Sequence, residues 1–346
     1  MILHTQFKYI FLVIVVGSML GCSSVVKRYE YPSKQQIVWP ASPAKPKIKY
    51  IGSFSSAIDL GIEKGVFAML AEFFAGSEKQ SLIRPMDVVT LGEHEIFVAD
   101  PGIKGIHYFN TRAHIYKQIR LTGNVAMPSP ISLAVDHKKN VYVSDSALGK
   151  VFKLNVEAGI ATPVQLSTAV SQPTGLAFDK KQKRFYVVDT ASHQLGIYNS
   201  NWKLIKKIGK RGKGRGEFNY PTSIWCDTNG HLWVTDSLNF RIQKLSSTGK
   251  YIKQFGKAGS ASGYFSRPKG VATDKFGHIY IVDSLLHTMQ IFDKKSRLLL
   301  NIGQQGQDPG NFWLPTGIYI GENSKVYIAD SYNQRIQVFQ YIGGKS

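Results

Sequence analysis

Short runs of β-branched, aromatic and aliphatic residues, many alternating with polar ones, recur along most of the chain, and turn residues bound them. In PTSIWCDTNGHLWVTDSLNFRIQKLS, residues 223–226 form one apolar run, 227–230 end in Asn-Gly, and 232–235 form a second run closed by Asp236. Asn-Gly between two such runs is a strong hairpin signal, so the pair is predicted as two antiparallel strands. Residues 241–245 predict a third strand and 250–255 a fourth, after a turn at Thr248 and Gly249. The same four beats return in PKGVATDKFGHIYIVDSLLHTMQIFD and, less its last strand, in PTGIYIGENSKVYIADSYNQRIQVFQ.

One phrase marks every copy. A proline (Pro85, Pro130, Pro173, Pro221, Pro268, Pro315) is followed, almost always fifteen residues on, by an aspartate (Asp100, Asp145, Asp189, Asp236, Asp283, Asp330). Successive aspartates lie 45, 44, 47, 47 and 47 residues apart, the size of one four-stranded propeller blade. The prediction is an all-β, six-bladed β-propeller of four-stranded antiparallel blades. The chain stops after the third strand of the sixth copy, while KIKYIGSF near the N-terminus matches the fourth strands KLIKKIGK, YIKQFGK and LLLNIGQ. The last blade is therefore expected to be closed by the N-terminal strand, which removes open edges.

The glycine-rich lead-ins at 256–265 and 303–312, the Pro-x-Gly of Pro173, Pro268 and Pro315, the Ala-Asp before Ser331 and the Asn-x-Arg-Ile of Asn239 and Asn333 resemble NHL repeats. The resemblance covers about residues 47–341 and is most specific in the last three copies. Asp87, Ser132 and Ser223 stand where the motif has its glycine. The resemblance implies a binding propeller. A six-bladed relative that is a zinc-dependent lyase implies an alternative, a metal-dependent lyase or lactonase-type hydrolase at the central mouth, which is where calcium or zinc would enter. No cofactor is otherwise predicted.

The ends add location. Lys8, an uncharged stretch from 9 to 26 that includes IFLVIVVGSML, and Gly21-Cys22-Ser23-Ser24 describe a secretory signal that resembles a bacterial lipobox. Residues 1–21 are expected to be a signal peptide and Cys22 the acylated first residue of a lipoprotein exported to the bacterial membrane; an uncleaved transmembrane anchor is the other reading. Residues 22–46, with four prolines, read as a tether, 47–341 as the propeller and 342–346 as a tail. Within 58–76 an apolar stripe at helical spacing predicts a short helix.

Formal net charge is +20 at pH 7, which favours an anionic partner such as an envelope component or an acidic protein. Nucleic acid is not expected for an exported chain. The densest basic run is KLIKKIGKRGKGRGEF, with Lys210, Arg211, Lys213 and Arg215 as the candidate patch, sharing a face with Asn239, Arg241, Asn333 and Arg335. Around the mouth, Arg84, Asp87, Tyr220, Arg267 and Lys269 are candidate ligand-binding residues, and Trp313 and Tyr332 add contact area.

Catalytic signals are sparse. His193 and His287 each follow a blade aspartate by four residues and are weak metal candidates, because two imidazoles from different blades do not complete a ligand set. Cys226 falls in an inner strand with no histidine partner in its blade, and no Gly-x-Ser-x-Gly, His-Glu-x-x-His, phosphate loop or Cys-x-x-Cys occurs. The repeated aspartates are expected to accept backbone N–H groups rather than to catalyse. Together these readings favour a non-enzymatic binding or scaffold module.

Overall fold

The computed structural model describes residues 36–41, 43–45, 47–62, 80–121, 125–321 and 323–343. Cys22, most of the 58–76 segment and the last three residues lie outside the described residues. The chain enters through β1 (Val38–Trp39) and β2 (Ile48–Phe54). Blade one follows as β3 (Asp87–Leu91), β4 (Glu95–Asp100), β5 (Gly105–Asn110) and β6 (Ile115–Leu121), and blade two as β7 (Pro130–Val135), β8 (Val141–Asp145), β9 (Lys150–Asn155) and β10 (Ile160–Pro163). Blade three holds β11 (Pro173–Asp179), β12 (Arg184–Asp189), β13 (Gln194–Asn199) and β14 (Leu204–Ile208). Blade four holds β15 (Pro221–Cys226), β16 (Leu232–Asp236), β17 (Arg241–Leu245) and β18 (Tyr251–Phe255), and blade five β19 (Pro268–Thr273), β20 (Ile279–Asp283), β21 (Thr288–Phe292) and β22 (Leu298–Ile302). Blade six comprises β23 (Ile318–Ile320), β24 (Lys325–Asp330) and β25 (Arg335–Tyr341).

Strand β2 supplies the missing outer strand of blade six: it pairs antiparallel with β25, from Ile48↔Tyr341 to Phe54↔Ile336. Two features differ from the sequence expectation. Part of the segment read as a tether adds a fifth strand, because β1 pairs with β2 and Trp39 packs on Phe339 with ring centroids 5.8 Å apart. The outer strands of blades one and two also meet, β10 pairing in parallel with β6, so these blades form one eight-stranded sheet. Of the predicted helix, the described part is a 3-10 turn over Ile58–Leu60.

The proline-to-aspartate phrase is a cross-strand pair. Pro130↔Asp145, Pro173↔Asp189, Pro221↔Asp236 and Pro268↔Asp283 face each other, and a register shift follows each proline. Proline has no N–H to offer a ladder, so it suits the first residue of a strand at an irregularity. The second strands β8, β16 and β20 are buried along their whole length because neighbouring blades cover both faces. The core accordingly lies between blades; one cluster joins Tyr280 and Val282 of blade five to Val326, Ile328 and Phe339 of blade six.

The glycine two residues after the proline lets the next inner strand approach: a Cβ at Gly270 would lie 2.7 Å from Thr316 O, and one at Gly317 2.5 Å from Met86 O. At two of the positions where the glycine is missing, Asp87 and Ser132, a polar side chain crosses the seam instead. Asp87 of blade one accepts hydrogen bonds from Ser132 Oγ (3.0 Å) and Leu133 N (2.8 Å) of blade two, and Ser132 Oγ accepts from Leu176 N (3.2 Å) of blade three.

Candidate functional site: the loop face and the central channel

In this topology the loops between second and third strands, and those linking one blade to the next, emerge on one face, and the hairpin turns emerge on the other. On the loop face each blade aspartate organises its surroundings. Asp100 accepts from the backbone N–H groups of Ile83 (2.7 Å), Arg84 (2.9 Å) and Gly102 (2.7 Å), and Asp283 from Ser266 (2.8 Å), Arg267 (3.0 Å) and Leu286 (3.1 Å). Burial raises both carboxyls; at Asp283 it prevails, whereas at Asp100 the bonds from His107 and the backbone outweigh it and hold the pKa low.

Blades four and six solve the same problem with side chains. Asp236 accepts from Asn219 N (2.6 Å), Asn239 Nδ2 (2.9 Å), Arg241 Nε (2.7 Å) and Gln243 Nε2 (3.1 Å). Asp330 has the matching set, Trp313 N (2.8 Å), Asn333 Nδ2 (2.8 Å), Arg335 Nε (2.8 Å) and Gln337 Nε2 (3.0 Å). These residues share the loop face and brace the lead-in loops from beneath: Asn333 and Arg335 hold the loop before blade six, and Arg241 is buried under the basic loop, donating to Lys213 O (2.7 Å), Gly214 O (2.9 Å) and Glu217 O (2.9 Å).

The glycine-rich lead-ins of blades four, five and six (209–218, 256–265 and 303–312) share one backbone frame. In each, a closing phenylalanine donates its N–H near the loop start and accepts from the central glycine: Phe218 N to Lys210 O and Gly212 N to Phe218 O, with the same pairs at Phe265 and Phe312. A glutamine clamps each from below, Gly216 N, Gly263 N and Gly310 N donating to Gln243, Gln290 and Gln337 Oε1 at 2.7–3.0 Å. The first glycine of each has φ of 90°, 103° or 92°, and a Cβ there would lie 2.4–2.6 Å from the phenylalanine ring. Each phenylalanine is fully buried, which contributes about 1.5–3 kcal/mol apiece.

Between the loops before blades four and six, which also share the Asn and Arg braces, the difference lies in the outward side chains. The loop before blade four carries Lys210, Arg211, Lys213 and Arg215, all exposed, where the loop before blade six has Gln304, Gln305, Gln307 and Pro309. Lys210 pairs with Glu217 at 3.3 Å and Arg215 lies 5.6 Å from the Tyr251 ring.

His193 and His287 are latches between blades. Their Nδ1 atoms accept from Tyr220 N (3.0 Å) and Leu314 N (3.1 Å) of the next blade. Both donating residues precede a proline and have positive φ, 49° and 47°, which turns their N–H away from the blade aspartate and toward the imidazole. Each ring must therefore be unprotonated at Nδ1. Burial lowers the His287 pKa, against the opposing pull of Asp283 and Asp330. Among the described residues, no group of three or more His, Cys, Asp or Glu side chains is placed to hold a metal ion.

A channel of about 960 Å³ runs between the inner strands. Of the five mouth candidates, Asp87 and Lys269 line it, while Arg84, Tyr220 and Arg267 stand exposed on the loop face around it. Asp87 is committed to the blade seam; burial lifts its pKa to about 7, ahead of the bonds that lower it. Lys269 is held below the usual lysine value by burial and then by neighbouring Arg267, and no side-chain partner neutralises it among the described residues. Tyr220, Arg267 and Lys269 belong to blades four and five, next to the basic loop; Arg84 belongs to blade one. Trp313 and Tyr332 form an exposed aromatic pair 5.8 Å apart on blade six. The Cys226 thiol is pushed upward by burial and then by Asp179 and Asp227.

Sequence reasoning overlooked the opposite opening, where Lys139, Lys180, Lys181 and Lys275 line the channel. Their signal is a lysine one to three residues after a turn aspartate in blades two, three and five.

Known proteins match this geometry. A family model described as a 6-bladed beta-propeller matches residues 164–254, and an NHL-repeat model matches residues 312–339. An auxiliary nutrient binding protein from Bacteroides thetaiotaomicron superposes with a TM-score of 0.61 at 11% identity, over 77% of this chain and 71% of its own. Virginiamycin B lyase from Staphylococcus aureus superposes with a TM-score of 0.55 at 14% identity, over 75% of this chain and 95% of its own. At such identities the likeness is one of fold.

Proposed function

We propose that this chain, an NHL-repeat six-bladed β-propeller, is a non-enzymatic binding module of the bacterial envelope, anchored by a lipid on Cys22, that holds an anionic envelope ligand or acidic protein on its loop face. The observation that carries the reading is a set of three lead-in loops with one frame, of which the first displays four cations, the second one and the third none. A buried arginine and glutamine brace the loop before blade four, so Lys210, Arg211, Lys213 and Arg215 are displayed on a pre-formed support. Little ordering cost then opposes binding. Arg267 and Lys269 extend the positive sector toward the channel, and Tyr220 supplies exposed aromatic area between them.

Retention on a dextran-sulfate column tests the reading. Replacing Lys210, Arg211, Lys213 and Arg215 with serine should lower the eluting salt concentration well below that of a control in which exposed Lys104, Lys150, Lys294 and Lys295 become serine. Equal elution of the two variants would leave only diffuse charge. Stoichiometric calcium or zinc in the purified protein, lost on Asp87→Ala or His287→Ala, would favour the metal-dependent lyase or hydrolase instead. Labelled palmitate should enter the wild-type chain and not Cys22→Ala.

A further inference from the structure

The hairpin-turn opening of the channel is built differently from the loop-face mouth. Lys139, Lys180, Lys181 and Lys275 line it and are exposed, and no ammonium among them has an ion-pair or hydrogen-bond partner among the described residues. Four aspartates line the same opening, but none reaches these ammonium groups, because their side chains turn into their own hairpin turns. Asp136 accepts from Lys138 N, Asn140 N and Asn140 Nδ2, and Asp274 from Phe276 N, His278 N and His278 Nδ1. Asp227 accepts from Asn229 N, His231 N and Trp233 Nε1. Asp179 accepts from Lys181 N and Gln182 N through one oxygen, and its other oxygen is buried near Gly230 of blade four without a hydrogen-bond partner.

Just inside this rim the channel wall turns aromatic. Trp225 of blade four and Tyr319 of blade six meet edge to face, centroids 5.9 Å apart, across the inner strand of blade five. Trp225 Nε1 donates to Thr273 Oγ1 (3.0 Å) and Tyr319 OH to Thr90 O (3.3 Å), so hydrogen bonds to the wall fix both rings. Both line the channel and keep part of their surface exposed. Fixed, partly exposed rings beneath exposed ammonium groups that no carboxylate pairs combine apolar contact area with cationic donors for an anion.

We propose that this opening is a second binding site, separate from the loop face, for a small organic anion that carries a ring: the ring rests on Trp225 and Tyr319 while a phosphate, sulfate or carboxylate meets Lys139, Lys181 and Lys275. Ligand-detected saturation-transfer NMR on the full chain tests it, with 4-nitrophenyl phosphate and glucose 6-phosphate as the aromatic-ring and sugar-ring anions and 4-nitrophenyl glucoside as the uncharged control. At least one anion should bind about tenfold more tightly than the glucoside, and which one binds identifies the ring. That binding should fall about tenfold in Lys139→Glu/Lys181→Glu/Lys275→Glu, whose exposed positions leave folding intact, and severalfold in Trp225→Leu. Serine at Lys210, Arg211, Lys213 and Arg215 should not change it. Failure of both anions to bind the wild type, binding equal to the glucoside, or binding that follows the loop-face serines instead would overturn the proposal.

Discussion

The loops that lead into blades four and six have the same backbone hydrogen bonds, the same buried phenylalanine and the same glutamine clamp, yet one displays four cations and the other none. Shared frame residues report on folding and differing surface residues on binding. Nothing about the fold requires Lys210, Arg211, Lys213 or Arg215 to be basic, since Gln304, Gln305, Gln307 and Pro309 occupy the same frame.

The largest test of that division removes the brace. Arg241→Ala leaves buried Asp236 without its cation, Lys213 O without its donor and Gly214 O and Glu217 O with one donor fewer, so urea unfolding should show a loss of about 3–5 kcal/mol. Arg335→Ala should cost less, because Arg335 is more exposed and serves two carbonyls, Asp308 O and Asn311 O. An equal cost would mean that the two frames do not differ as described.

Two titrations give the next effects, with opposite signs. Asp87 binds its proton more tightly folded, with a pKa of about 7 against about 3.9 unfolded. Its contribution to stability is therefore complete below about pH 4 and lost as pH rises toward 7. Asp87→Asn should flatten that part of the stability profile while keeping an acceptor for Ser132 and Leu133. His287 is the reverse case: its folded pKa lies below about 6.5, so the unfolded chain takes up the proton first. The latch is intact above pH 6.5 and weakens as pH falls. His287→Gln should cost about 1 kcal/mol at pH 8 and remove the slope just below pH 6.5, both read from unfolding midpoints. The smallest effect belongs to the surface: serine at Lys210, Arg211, Lys213 and Arg215 should change stability by less than about 0.5 kcal/mol.

Most of the ring was legible because its repeat is written in side chains. Asp236 and Asp330 recruit Asn, Arg and Gln at fixed offsets, and these are the copies in which the NHL resemblance is plainest. Blade one was harder to read because Asp100 is met by backbone N–H groups and one histidine, and any residue supplies a backbone donor. The same logic explains Asp87. Its departure from the glycine pattern was visible, but its use across the blade seam depends on a neighbour 45 residues away. The latches at His193 and His287 depend on the positive φ of Tyr220 and Leu314, and the channel's lysine rim on the closure of the ring, neither of which a local pattern contains.

The central claim is that charge on the loop before blade four, and not overall charge, holds the anionic partner. The most direct measurement is a graft in the chain carrying the four serines: Gln304→Lys, Gln305→Arg, Gln307→Lys and Pro309→Arg restore the same net charge on the matching frame of blade six, on the far side of blade five from Tyr220. This chain should still elute from dextran sulfate at a salt concentration well below wild type. Full recovery of wild-type retention would contradict it, showing that net charge alone governs binding.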